Sequence, residues 1–323
     1  MSRTRKAAAG VILAAASTFA VVGEAQQYPV RPLRLVVGFA PGGATDVAAR
    51  AVAQKLSETI GQTVIVDNKP GAAGNIAADA VAKSPPDGYA MFLANATIAT
   101  PSLFAKLPFD VTRDFAPVAL VGAGPSALIA HPSLPVKSVT ELIALAKRHP
   151  GKLNYASGGT GNITHLAMAL FISMTGIDMT HIPYKGGAPS TIAVVSGEAD
   201  LGFSAITSTL TQIQAGRLRA VAVSSARRSA ALPNVPTVSE AGLPGYEASS
   251  WYGIFLPAAA PKAVVSKLSS EIVKALEAPD VKERLLNQGI EPTPANADDF
   301  AKYLNAEMTK WAKVIKDARI PPQ

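Results

Sequence analysis

Cysteine is absent from the 323 residues, which excludes disulfides, thiolate catalysis, cysteine-ligated metals and anchoring through a lipidated cysteine. Charged residues are sparse at 16%, which argues against a disordered chain. Aromatics reach only 6%, a poor supply of stacking platforms for nucleic acid. The net charge of +7 does not alter that, because the bases are scattered, with Lys147-Arg148 and Arg227-Arg228 as the longest clusters. No nucleic-acid partner is expected. The motifs G-x-x-x-x-G-K-[ST], G-x-S-x-G and H-E-x-x-H are missing. Histidine occurs only at 131, 149, 165 and 181, and no carboxylate pair beside one of these offers an acid–base team. Catalytic residues, metal sites and cofactors are therefore not expected.

Long apolar runs are also lacking, with one exception at the N-terminus. Ser2–Lys6 is basic, Ala7–Val22 is apolar and Ala-rich, and Gly23 and Ala25 supply small residues at the −3 and −1 positions of a cleavage site. The run is short for a membrane span of roughly 20 residues. Residues 1–25 are expected to be a signal peptide cleaved near Ala25, placing a soluble protein in the periplasm.

Apolar residues make up 48% of the chain, enough for a substantial core and two domains. The most informative stretch is Arg34–Asp46, RLVVGFAPGGATD. An apolar run, Leu35–Phe39, breaks at Pro41-Gly42-Gly43 and a helical pattern starts at once, with Val47, Ala51, Val52, Leu56 and Ile60 on one face. A buried strand, a glycine turn and a helix N-terminus thus direct backbone N–H groups at one small volume, an arrangement suited to an anion. A second strand follows at Thr63–Val66, then the turn Lys69–Asn75, the helix Ile76–Lys83 and a third strand at Tyr89–Leu93, closed by Asn95-Ala96-Thr97. This succession predicts a parallel α/β sheet.

Two apolar runs, Val118–Val121 and Ala127–Ala130, are joined by Gly122-Ala123-Gly124-Pro125, a crossing between lobes. Ser138-Val139-Thr140-Glu141 is a capping box for the helix Val139–Arg148. The opening pattern then recurs in other letters: strand Leu153–Ala156, turn Ser157–Asn162, helix Ile163–Met174. Strands at Thr180–Ile182, Ala199–Phe203 and Arg219–Ser224 complete a second α/β set. A strand at Trp251–Leu256 and three helices end the chain; the last repeats Phe300, Leu304, Met308, Trp311 and Ile315 and is expected to pack on the first lobe. The lobes are expected at 26–124 plus 249–323 and at 125–248.

Ligands of open α/β sheets bind at the C-terminal edges of strands. Phe39–Asp46, Asn95–Thr97, Ser157–Asn162 and Ser204–Ala205 all fall there. The candidate ligand-binding residues are Phe39, Gly42, Gly43, Ala44, Thr45, Asp46, Asn95, Thr97, Ser157, Gly158, Thr160, Gly161, Asn162, His165 and Ser204. Asp46 is awkward beside an anion; at the third position of a helix capped by Gly43 it can instead hold the helix start or organise water. His165, in the first turn of its helix, is open to a ligand-facing or a capping role. His131, His149 and His181 read as structural, and Lys185 as either a charge at the cleft mouth or a solvated side chain.

The segments YPVRPLRLVVGFAPGGATD, VDNKPGAAGN, SPPDGY, LNYASGGTGNITHLA, HIPYKGGAPS, LPNVPTVSEAGLPGYEASSWYGIFLPA and WAKVIKDA resemble the Bug family, the extracytoplasmic receptors of tripartite tricarboxylate transporters. The resemblance spans residues 28–320. It implies a type II periplasmic-binding-protein fold: two α/β lobes joined by two crossing segments, with a cleft that closes on a small carboxylate without catalysis. It further implies that Phe39–Asp46 grips a carboxylate through backbone donors and buried water, with Asn95–Thr97 and Ser157–Asn162 as the other walls. Relatives often carry an acid or amide where this chain reads Gly202-Phe203-Ser204-Ala205, so a ligand ammonium has no evident partner. The expected ligand is a di- or tricarboxylate or an aromatic carboxylate, passed by a monomer to the membrane permease subunits. A periplasmic sensor feeding a signalling partner uses the same architecture, and a secreted enzyme would need an activated nucleophile that the sequence does not display.

Overall fold

The computed structural model describes residues 28–322; the expected signal peptide lies outside the described residues. The first strand, β1 (Leu33–Val37), buries Leu33, Leu35, Val36 and Val37, because the sheet it joins is covered on both faces. It leads to α1 (Ala44–Ile60), β2 (Val64–Asn68), α2 (Asn75–Ala82) and β3 (Ala90–Asn95). As the sequence predicts, β1 pairs in parallel with both β2 and β3.

Two 3-10 turns, Ala96–Ala99 and Pro101–Leu103, and the short α3 (Val111–Asp114) precede β4 (Phe115–Gly124) and β5 (Ser126–Ala130). Then come α4 (Val139–Arg148), β6 (Asn154–Ser157), α5 (Ile163–Thr175), β7 (Thr180–Pro183), α6 (Gly187–Val195), β8 (Leu201–Ala205), α7 (Ile206–Gln214) and β9 (Arg219–Val223). The chain ends with β10 (Ser250–Pro257), α8 (Lys262–Glu277), α9 (Pro279–Asn287), β11 (Glu291–Ala295) and α10 (Ala297–Asp317). The capping box at α4 forms with a shift: Ser138 Oγ accepts from Glu141 N at 3.2 Å, but the Glu141 carboxylate accepts from Lys137 N, one residue before the cap.

The strands form two mixed sheets, one in the order β11-β4-β10-β3-β1-β2 and the other β7-β6-β8-β5-β9. Each is the centre of one lobe of a type II periplasmic-binding-protein fold. The parallel expectation holds for β1–β3 and for β6–β8, while β10 runs antiparallel to β3 and β4, and β5 antiparallel to β8 and β9. Only Pro125 separates β4 in the first sheet from β5 in the second, so Gly122–Gly124 belong to a strand rather than to a free connection. The returning strand β10 pairs Ser250 with Gly124, and Ser224 N donates to Ser126 O at 2.8 Å. The two crossings therefore run side by side.

The edge strand β11 escapes a sequence reading because Pro292 and Pro294 interrupt it; an edge position tolerates the missing donors. The final helix α10 packs on β4 as expected but also reaches α5 of the other lobe. Its buried face holds Phe300, Leu304, Trp311, Val314 and Ile315. Phe300 lies so close over β10 that a Cβ on Gly253 would stand 2.1 Å from its ring. Among the described residues no helix is long and apolar enough to cross a membrane.

Candidate functional site

Gly43 caps α1 in extended conformation, which leaves the first-turn N–H groups without intrahelical acceptors. Asp46, three residues on, is 2% exposed and turned inward. Its Oδ2 accepts from Gly42 N at 2.9 Å and from Arg50 Nε at 2.9 Å, and its Oδ1 accepts from Asn68 Nδ2 at 2.9 Å. Asn68 Nδ2 also lies 3.0 Å from Phe39 O. Burial opposes ionisation of Asp46, but the hydrogen bonds from Arg50, Gly42 and Asn68 outweigh it and hold the carboxyl below its ordinary range. The acid thus ties the end of β1, the glycine turn, α1 and β2 together, which is the helix-start role that its sequence position permits.

The turn after β2 runs through four consecutive residues of positive φ: Gly71 (133°), Ala72 (47°), Ala73 (56°) and Gly74 (96°). It lies against the end of β1, where a Cβ on Gly38 would stand 2.5 Å from Gly74 Cα. At the end of β3, Asn95 caps the following 3-10 turn, its Oδ1 accepting from Thr97 N at 3.2 Å. Thr97 Oγ1 lies 2.5 Å from the same Oδ1 and 3.2 Å from Ala73 O, linking the two loops.

In the second lobe Asn162 caps α5, its Oδ1 accepting from Thr164 N at 3.0 Å. Gly158 N donates to Thr164 Oγ1 at 2.9 Å, and Gly161 N donates to His165 Nδ1 at 3.1 Å. That bond requires an unprotonated Nδ1 and places the ring proton on Nε2. Burial, reinforced by the neighbouring His181, lowers the His165 pKa to about 4; burial also lowers that of His181. His181 Nε2 lies 2.6 Å from Ser157 Oγ. This contact resembles a nucleophile with its base, yet Ser157 is fully buried and its Oγ also lies within hydrogen-bond distance of Gly159 N and O. A substrate has no approach to it.

Between the lobes lies a cavity of about 300 Å³. Of the residues singled out from the sequence, Phe39, Asn95 and Thr97 line it from the first lobe, and Gly158, Thr160, Gly161 and Asn162 from the second. Gly42, Gly43, Ala44, Thr45, Asp46, Ser157 and His165 are not part of that lining: Gly42 and Gly43 are exposed, Ala44 is half-buried, and Thr45, Asp46, Ser157 and His165 are buried. Ser204 is buried with its Oγ 2.6 Å from Thr191 Oγ1, and Lys185 is exposed away from the lining. The sequence reading placed Ala96 in a wall loop without singling it out, and it missed Ala73, Thr100, Leu103, Phe104 and Ser250 on the first-lobe side and Ile163 and Leu166 on the other. Leu103 and Phe104 sit in a 3-10 segment without helix or strand periodicity; Pro101 at its start was the only local signal. Ile163 and Leu166 share the first-turn face of α5, a spacing of three that reads equally as core.

The described residues lining the cavity present amides, hydroxyls and backbone donors beside apolar groups, with no charged side chain among them. Among the described residues no cluster of three or more histidine, aspartate or glutamate side chains could hold a metal ion.

Residues 48–320 match the family model described as the tripartite tricarboxylate transporter family receptor. The protein BugT of Bordetella pertussis is 36% identical over 321 residues, covering 98% of each chain. The solved structure of Rpa4515 from R. palustris with adipate is 36% identical with a TM-score of 0.74, covering 92% of this chain and all of that one. MatC from Rhodopseudomonas palustris with bound malate is 31% identical with a TM-score of 0.68, covering 89% of this chain and all of that one.

Proposed function

The chain belongs to the tripartite tricarboxylate transporter receptor family, the Bug proteins, whose members are periplasmic solute-binding receptors and not enzymes, and we propose that it captures a small carboxylate between its lobes and delivers it to the membrane permease subunits of such a transporter. The observation that carries this reading is the cavity enclosed by loops of both sheets and furnished with neutral hydrogen-bond donors. Such donors form charge-assisted bonds to a carboxylate without a fixed counter-ion. Relatives solved with adipate and with malate support the ligand class.

In this reading the chain is exported with its leader cut near Ala25 and works as a monomer. Lobe 1 comprises 26–124 plus 249–323 and lobe 2 comprises 125–248, with the paired crossings at Gly124–Ser126 and Ser249–Ser250 as the hinge. The direct ligand contacts come from Phe39, Asn95, Thr97, Gly158, Thr160, Gly161 and Asn162. Gly42–Asp46, Ser157, His165 and Ser204 shape the walls.

Thermal unfolding of residues 26–323 against carboxylates, neutral isosteres, phosphate and amino acids tests the reading. A ligand at a hundred times its dissociation constant adds about 2.7 kcal/mol to stability. Stabilisation by carboxylates alone is the expected result; stabilisation only by phosphate or amino acids would overturn the ligand class.

A further inference from the structure

We infer that the contact between Gly289 and Thr207 is a stop that limits how far the lobes open, and that these two residues, which do not line the ligand cavity, set part of the affinity for ligand. This rests on the reading that a ligand is held between the lobes, and it adds the conformational balance behind that binding.

A second cavity between the lobes, of about 350 Å³, is lined by Thr207, Leu210 and Ala230 of the second lobe, by Gly289 and Glu291 of the first, and by Pro125 at the crossing. Its position follows from the order of the strands. In the first sheet the β4–β10 pair has β3 and β1 on one side and β11 on the other. The ligand cavity draws on the loops after β1 and β3, the second cavity on the start of β11. In the second sheet β6 and β9 lie on opposite sides of β5. There the ligand cavity takes the loop after β6 and the second cavity the segment after β9. The two cavities therefore flank the crossings from opposite sides.

Lobes that turn as rigid bodies about the crossings narrow one gap only by widening the other. On the β11 side the lobes already touch. Gly289 follows α9 with a φ of 69°, and a Cβ there would stand 2.5 Å from Thr207 Cγ2. This flank can part but cannot approach further. The Glu291 carboxylate also accepts from Ala230 N at 3.3 Å, a second link between the lobes on the same side. Further opening of the ligand cavity is thus blocked, and further closure must separate Gly289 from Thr207 and break the Glu291 bond. Apparent affinity falls with the fraction of receptor able to close on its ligand. Whatever holds this flank together therefore weakens binding, and whatever parts it strengthens binding.

The chain has no cysteine, so an introduced pair can be tested alone. A Cβ at residue 289 would lie 3.5 Å from that of Thr207, within the span of a disulfide, whose Cβ atoms stand about 3.5–4.5 Å apart. In Thr207→Cys with Gly289→Cys, oxidation should weaken adipate and malate by at least about tenfold in calorimetric titration of residues 26–323, and dithiothreitol should restore them. The reduced form of the same variant is the reference, because a side chain at this φ carries its own strain. Equal affinity in the two forms would overturn the inference and leave the receptor reading standing. A second arm needs no ligand. Ile76 and Ile192, 53% and 65% exposed, sit on the helices that follow the edge strands β2 and β7, on the ligand side of the crossings. Spin labels on Ile76→Cys with Ile192→Cys should move closer together when Thr207→Trp wedges the β11 side apart, with thermal midpoints checking that the variants fold. An unchanged distance distribution would overturn the inference. Failure of every carboxylate to bind the unmodified protein would instead overturn the receptor reading, and the label distances would still test the stop.

Discussion

The imidazole rings of His165 and His181 lie face to face, their centroids 4.0 Å apart and their planes 3° from parallel. Tyr155 continues the stack, 4.9 Å from His181. One ring holds Gly161 N and the other touches Ser157 Oγ, so the pair supports both ends of the second-lobe loop from below. The arrangement works only while both rings are neutral, since two stacked imidazoliums would repel and a protonated Nδ1 cannot accept from Gly161.

Acid should therefore unfold this protein through the stack. The pKa of His165 falls from 6.5 in the unfolded chain to about 4 in the fold, so the unfolded state takes the proton first as pH drops. The contribution is complete above pH 6.5 and is lost as pH falls through about 4, amounting to roughly 3 kcal/mol. His181 shifts in the same direction, and Tyr155, pushed up to about 12 by burial, stays neutral throughout. Urea melts between pH 7 and 4 should show this loss. His165→Phe keeps a stacked ring but cannot titrate, so it should start less stable at pH 7 and change less; equal slopes for both proteins would refute the account.

Asp46 should prove to be a framework residue. Replacement by Ala leaves Gly42 N, Asn68 Nδ2 and the Arg50 guanidinium short of acceptors, with an expected destabilisation of roughly 3 kcal/mol. Asn68→Ala should give part of the same loss, and the double variant less than the sum, because the two side chains share a bond. A variant with undiminished stability and lost ligand affinity would mean that Asp46 meets the ligand directly.

The turn at Gly71–Gly74 reverses the usual sign of a glycine substitution. Ala72 and Ala73 adopt φ of 47° and 56°, a conformation that disfavours a Cβ by about 1 kcal/mol or more. Ala72→Gly should consequently be neutral or stabilising by up to about 1 kcal/mol in a thermal melt. Gly38→Ala should do the opposite, because its Cβ would stand 2.5 Å from Gly74 Cα, a backbone atom. Clear destabilisation by Ala72→Gly would refute the strain.

What could be read in advance follows from how local each signal is. Helices α1 and α5 announce themselves through Gly43 and Asn162 at their caps, and β1–β3 through short apolar runs divided by glycine turns. Such features depend on neighbours within four or five residues. The role of Asp46 was half legible: position three of α1 suggested it, but Asn68, its partner on β2, becomes a neighbour only once β1 and β2 pair. The apolar part of the cavity lining was not legible at all. Leu103 and Phe104 carry no periodicity, and that they face Leu166 depends on how the two lobes meet. His181 looked like an ordinary strand residue for the same reason, since its stacking partner lies on α5.

Glu307 joins the last helix to the returning strand. It is 4% exposed, and its Oε2 accepts from Trp251 Nε1 at 3.1 Å and from Trp311 Nε1 at 2.9 Å. Oε1 accepts from Lys310 Nζ, which also donates to Glu247 O at 3.1 Å. These are the only two tryptophans in the chain, so intrinsic fluorescence reports on this one carboxylate. Glu307→Leu would leave two buried indole donors unpaired and should destabilise by roughly 3–5 kcal/mol. Glu307→Gln retains one acceptor oxygen and should lose less. Trp251 adjoins Ser250, the residue paired with Gly124 where the two crossings meet, so closure of the lobes should alter its surroundings. Trp311, deep on α10, should respond less. A saturating carboxylate should therefore shift the emission of Trp311→Phe, which retains Trp251, and leave that of Trp251→Phe nearly unchanged. Equal responses would place the moving element outside the crossings.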